Sequence, residues 1–362
     1  MNNKKINVTK TYLPNKEKYK RYVDEIYDNG WLTNEGPLVK RLEKRLQEYL
    51  GVKNIVLVCN GTVALEVAYR VLDLSGFAIT TPFSFVASTS SLVTNQLLPI
   101  FTDINEATFN LNPRDIEGLI TPNTGAIVPV HVFGNACEID EIEKIAKKNK
   151  LKVIYDGAHA FGVNYKEQSL LNYGDISTLS FHSTKIFHSV EGGALVINDD
   201  ELAQKARYLI NFGIKNQEEI PHLGINGKMN EFEAAMGLCV LDDMEEITYK
   251  RKNIFDKYTN DLQGLVKFQE RNPNATQNYS YFPVVFKCEE DLLNTQKALN
   301  EKNIFPRRYF YPSLDTLNYI EPKQECKISR KISRQILCLP LYAELEADSQ
   351  KKIISIITST LG

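Results

Sequence analysis

Seven short apolar runs recur through the first two thirds of the chain: one within residues 54–58, then 78–81, 99–103, 126–130, 153–156, 178–181 and 194–197. Helical periodicity lies between several of them. Val39, Leu42, Leu46 and Leu50 repeat at three and four residues, as do Ile139, Ile142, Ile145 and Ala146. Runs of four or five residues that alternate with helices need crossover connections, and so predict a mostly parallel sheet covered on both faces. The pattern changes near residue 230. One long helical stretch, residues 231–262, is expected to bridge out of the first unit. A polar, turn-rich segment, "QERNPNATQNYS", follows it. The strand "YFPVVFK" and the helix "DLLNTQKALNEKN" then indicate a smaller α+β domain. The reading is an α/β chain with a large domain over residues 1–240, including the N-terminal segment, and a small C-terminal domain over 241–362.

Bulk properties remove several classes of function. At 362 residues there is room for two domains, and 43% hydrophobic with 24% charged residues is ordinary for a globular protein. A net charge of −2 and a pI near 6.3 give no electrostatic case for nucleic acid or an anionic membrane. No apolar run reaches membrane-spanning length and the N-terminus lacks a signal-peptide core, so a cytoplasmic protein is expected. The six cysteines are dispersed without a C-x-x-C pair, and no histidines stand at metal-ligand spacing, so neither disulfides nor a metal are expected.

Sheets of this type place ligands at the carboxyl ends of their strands, and four strand ends carry unusual residues. Asn60-Gly61-Thr62 opens a helix directly after a strand, which suits either a plain N-cap or an anion held on free backbone N–H groups. In "TPFSFVAST", Phe83 and Phe85 lie two apart and would share a side in an extended segment, stacked on a planar ring or filling core. "VIYDGAHAFG" ends an apolar strand in Asp156, followed by His159. A carboxylate there needs a cationic partner, such as a protonated pyridine nitrogen, or a structural one. Finally, "SFHSTK" sets Ser180 and His182 before Lys185, and Glu191-Gly192-Gly193 returns the chain to another strand. A confined lysine loses its proton more readily and serves as a nucleophile or proton carrier. Taken in order, these are a phosphate cup, a ring platform, an acid for a pyridinium and a Schiff-base lysine, the parts of a pyridoxal phosphate site.

Together with "GINGKMNEFEAAMG", these motifs resemble the DegT/StrS family of sugar aminotransferases. The resemblance runs from "GWLTNEGPLVKRLEKRLQEYLG" to at least residue 245. It implies a mostly parallel seven-stranded sheet sandwiched by helices, the fold type I architecture of pyridoxal phosphate enzymes. It further implies that Lys185 bonds pyridoxal 5'-phosphate, Asp156 meets the ring nitrogen, His159 lies by the ring or its hydroxyl, and Phe85 stacks on it. Gly61, Thr62 and Ser180 match phosphate contacts, and Asn226 matches one donated by a neighbouring subunit, which implies a homodimer. His159 stands where many relatives have Gln. His182, Arg308 and Tyr309 are candidate substrate contacts, with Arg307 and Tyr311 in the same stretch; His188, like His182, flanks the lysine and suits a substrate contact or packing equally, and Trp31 reads as packing.

The implied activity is amination of C4 of a dTDP-linked 4-keto-6-deoxy sugar, with L-glutamate giving 2-oxoglutarate. Within the fold the rivals are amination at C3 and 3-dehydration. Relatives that dehydrate carry His at the lysine position, so Lys185 favours transamination. A non-catalytic sensor with the same fold is the outside alternative.

Overall fold

The computed structural model describes residues 5–362. Its central sheet has seven strands: β1 (Ile55–Val58), β2 (Phe77–Thr80), β3 (Leu98–Phe101), β4 (Thr124–Val128), β5 (Lys152–Asp156), β6 (Ile176–Ser180) and β7 (Gly193–Ile197). They lie in the order β1-β7-β6-β5-β4-β2-β3. All neighbouring pairs are parallel except those of β7, which runs antiparallel to both β1 and β6. The mostly parallel sheet expected from the sequence is therefore present.

Within β1 the side chains alternate between two cores. Ile55 and Leu57 face a cluster with α1 (Lys16–Asn29), α2 (Pro37–Leu50) and α7 (Glu231–Asp242). Val56 and Val58 face the other side, against α3 (Gly61–Val71), α4 (Ala87–Thr94) and α6 (Asp200–Ile210). Helix α5 (Ile139–Asn149) packs on Ile79, Ile127 and Tyr155, on the same face as α2. Each fully buried Leu or Ile contributes roughly 2 kcal/mol, so a one-residue slip in register would forfeit a whole row of such side chains.

The bridging stretch is not one helix. It breaks at Asp243, where φ −101° and ψ 3° end α7, and α8 (Met244–Leu262) begins at the next residue. Helix α8, α9 (Glu289–Asn300) and α11 (Ala347–Leu361) share a core with the sheet of β8 (Lys267–Phe268), β9 (Phe282–Val285) and β10 (Ile336–Leu339). The chain's first strand crosses to this region: Ile6 and Asn7 pair with Ile304 and Phe305.

One tie at the front of the large unit has no sequence signal. Glu231 is fully buried, and its carboxylate accepts the Leu38 and Val39 N–H groups at 2.8 and 2.9 Å. A negative charge at the start of α2 satisfies two orphan donors and suits the helix dipole.

Candidate active site

The carboxyl ends of β1, β5 and β6 converge on a cavity of about 300 Å³. Its wall includes Gly61, Thr62, Phe85, Asp156, His159, Ser180, His182 and Lys185 from the large unit, and Tyr281, Arg307, Tyr309 and Phe310 from the C-terminal part.

At one end of the cavity α3 starts. The Asn60 side chain accepts the Val63 N–H at 2.9 Å, which leaves the Gly61 and Thr62 N–H groups without an intrahelical acceptor. These two residues are on the wall, beside Ser180. A Cβ on Gly61 would stand 2.7 Å from Ser180 Cβ, and one on Gly193 2.6 Å from the Asn60 backbone. Only glycine lets these segments close around an anion at the helix N-terminus.

Asp156 ends β5 almost fully buried. Its Oδ2 accepts the Ser88 hydroxyl at 2.6 Å and its Oδ1 accepts the Ala158 N–H at 3.1 Å. His159 is buried nearby, its ring parallel to those of Phe133 and Phe310 at 8° and 3°. The Phe133 N–H donates to His159 Nδ1 at 3.2 Å, so the neutral ring carries its proton on Nε2. Burial, with a smaller push from the Lys185 charge, holds His159 well below the usual histidine range, which keeps it neutral.

Lys185 sits in the turn after β6, with its backbone N–H donating to the His182 carbonyl at 2.8 Å. Its Nζ lies 6.0 Å from the centre of the Tyr281 ring and has no hydrogen-bond or ion-pair partner among the described residues. Burial lowers its pKa to about 8, against an opposing upward pull from Asp156. About a tenth of the amine is therefore neutral and nucleophilic at pH 7, on the order of a hundredfold more than at the ordinary lysine value. Among the described residues none neutralises Lys185, and its surroundings favour loss of the proton.

The sequence-derived candidates separate in space. Phe83 and Phe85 do not share a side, because residues 82–84 form a bend; Phe83 is core and Phe85 is on the cavity wall, half exposed. His182 is on the wall, 3.5 Å from the Glu191 carboxylate. Tyr309 is on the wall; burial raises its pKa to about 12, so it stays a proton donor. Arg308 is not on the wall. It donates to Glu289 at 2.6 Å, with its guanidinium 3.8 Å from the centre of the Tyr311 ring. Arg307 takes its place: its guanidinium stacks 4.6 Å over Tyr309, faces the cavity, and has no carboxylate partner among the described residues. The backbone of Arg307 pairs both ways with Cys338, and this antiparallel bridge decides which of the two arginines turns inward. Asn226 lies off this chain's cavity, on a segment bridged to Asn211. His188 donates to the Tyr12 carbonyl at 2.8 Å, a packing role. Trp31 is half exposed and away from the wall.

Sequence reasoning passed over Ser84, Ser88, Glu191, Tyr281 and Phe310. The two serines lie four apart beside Phe85, a spacing that suits a turn into a helix; Tyr281 and Phe310 come from distant segments and carry no local signal.

An uncompensated lysine with a lowered pKa, opposite a buried carboxylate and beside an anion-binding helix start, defines a lysine-centred α/β enzyme of the aminotransferase class. The chain belongs to the DegT/DnrJ/EryC1/StrS aminotransferase family, which it matches over residues 14–358. It is 44% identical over 361 residues to a dTDP-4-amino-4,6-dideoxy-D-glucose transaminase of Shigella dysenteriae, with 98% of each chain covered. A protein of the same description from Escherichia coli is 38% identical, with 99% of each chain covered. A GDP-perosamine synthase from Escherichia coli O157:H7 is 31% identical, with 94% of each covered. Among solved structures, DesI determined in the presence of its TDP-sugar product superposes with a TM-score of 0.93 at 29% identity, covering 99% of this chain and 93% of that one.

Proposed function

We propose that this aminotransferase moves an amino group from L-glutamate to C4 of dTDP-4-keto-6-deoxy-D-glucose. The products are dTDP-4-amino-4,6-dideoxy-D-glucose and 2-oxoglutarate, and the role is supply of a surface-polysaccharide (O-antigen) sugar in the cytoplasm. The observation that carries the reading is Lys185: a desolvated amine with no hydrogen-bond or ion-pair partner among the described residues, standing among groups that suit pyridoxal 5'-phosphate. The substrate rests on the two transaminases at 44% and 38% identity, against 31% for the GDP-sugar enzyme.

The donor set fits that cofactor. Gly61, Thr62 and Ser180 supply a tight, donor-rich cup for its phosphate. Asp156 suits its ring nitrogen, His159 Nε2–H its ring hydroxyl, and Phe85 its face, and a second subunit's copy of Asn226 completes the phosphate site in a homodimer. When bound, pyridoxal phosphate supplies an electron-poor ring that takes up carbanion charge. Asp156 holds the proton on that ring. The Lys185 amine carries protons to and from the reacting carbon of each substrate, and its lowered pKa suits both directions near neutral pH. Arg307 anchors the donor's carboxylate in bidentate fashion, with Tyr309 fixing the guanidinium plane. His182 faces the sugar at the rim. We assign residues 1–240 to the cofactor-binding domain and 241–362 to the small domain; the break at Asp243 supports that division.

Incubation with glutamate and dTDP-, UDP- and GDP-linked 4-keto-6-deoxy sugars, followed by product NMR, tests this. A 4-amino product on the dTDP sugar, with 2-oxoglutarate formed in equal amount, is expected. An amine at C3, or loss of the C3 oxygen without amination, overturns it.

A further inference from the structure

Beside Asp156 on the cavity wall runs a chain of two hydroxyls that the function above does not use. Ser88 Oγ lies 2.6 Å from Asp156 Oδ2 and 2.8 Å from Ser84 Oγ. All three side chains are almost fully buried, with exposures of 1% at Ser88, 3% at Ser84 and 5% at Asp156. A serine has one proton to give. Ser88 gives it to the carboxylate, so the contact with Ser84 has Ser84 as donor and Ser88 as acceptor. The chain has a direction, Ser84 to Ser88 to Asp156, and ends on the one carboxylate oxygen not held by the Ala158 N–H.

Two consequences follow from the chemistry. Each oxygen of an ionised carboxylate has room for about two donors; with one donor on each, both oxygens of this cavity-wall residue are fixed in place and keep room for one more. A hydroxyl that is itself receiving a hydrogen bond is also the stronger donor, so Ser84 tightens the hold of Ser88 on the carboxylate. The placement is local and built: Ser88 is in the first turn of α4 and Ser84 is in the bend before it, so the turn that brings Phe85 to the cavity also carries both hydroxyls.

We propose that Ser88, supported by Ser84, is a positioning residue that orients the Asp156 carboxylate toward a protonated ring nitrogen. The inference rests on the pyridoxal phosphate reading above. The test is binding rather than turnover. Apoprotein is titrated with pyridoxal 5'-phosphate and with its 1-deaza analogue, in which carbon replaces the ring nitrogen, and the quenching of protein fluorescence is followed. Wild type should prefer the natural cofactor. Ser88→Ala should cut that preference about tenfold, the usual scale of one hydrogen bond to a charged group, and leave affinity for the analogue within about twofold. Ser84→Ala should cut it by about threefold, through the weakened second bond. Equal weakening of both compounds by Ser88→Ala, or an unchanged ratio, overturns the proposal and leaves the role of Asp156 standing. A wild type that does not distinguish the two compounds overturns the pairing of Asp156 with the ring nitrogen, and the proposal with it.

Discussion

On the cavity floor the buried side chains are held in place by the chain itself: Asp156 accepts from Ser88 and Ala158, and His159 accepts from Phe133 between two parallel rings. Toward the rim, Lys185 and Arg307 have no ion-pair or side-chain hydrogen-bond partner among the described residues, and Phe85 and His182 are partly open to solvent. Buried polar groups are costly unless satisfied. The floor therefore suits one permanent occupant of fixed shape. The rim keeps its cations uncompensated for ligands that come and go, since a cation already paired would first have to give up its partner.

The comparison breaks most visibly at Lys185. Replacing it with Ala should leave cofactor bound without a covalent link, since the floor and the phosphate cup are intact, while turnover falls by at least about 10⁴-fold. Steady-state rates and borohydride trapping check this, and near-normal turnover would refute the assignment of Lys185. The two arginines sharpen the contrast next. Arg307→Ala should raise KM for glutamate by about 30-fold with little change in KM for the sugar, as expected for a lost charge-assisted pair. Arg308→Ala, whose partner is Glu289, should change either KM by less than about threefold. If Arg307→Ala instead raises only the sugar's KM, the rim cation serves the diphosphate.

The smallest effect is in pH. With burial holding the Lys185 pKa near 8, the neutral amine becomes about tenfold scarcer for each unit of pH below that value. Stopped-flow capture of pyridoxal phosphate by the apoprotein should accelerate accordingly with rising pH and level off above about 8. Asp156→Asn removes the charge that pulls this pKa upward, so its plateau should begin at lower pH. A flat profile in wild type would show that the amine is not the limiting group.

Much of this site was legible along the chain because its parts stand at strand ends. Gly61, Asp156, Ser180 and Lys185 each stand at the end of an apolar run or within a few residues of it, and a parallel sheet brings such positions to one edge whatever the strand order. The break at Asp243 was not legible, since the residues on both sides of it favour a helix and only packing ends one and starts another. Nor was the opposite fate of Phe83 and Phe85: an alternating pair reads the same in a strand and in a bend, and the bend alone sends one ring inward and the other to the cavity.

By itself, then, the order of residues determined the α/β class, the parallel sheet, the lysine, the acid and the glycine at the helix start. These depend on local period and on which residue types end a strand. Tertiary structure alone decided which of two adjacent arginines faces the cavity, which serines hold Asp156, and that Tyr281 and Phe310 close the wall. Those outcomes depend on the bridge between Arg307 and Cys338 and on segments brought together from far apart in the chain, and no local pattern encodes a contact between distant segments.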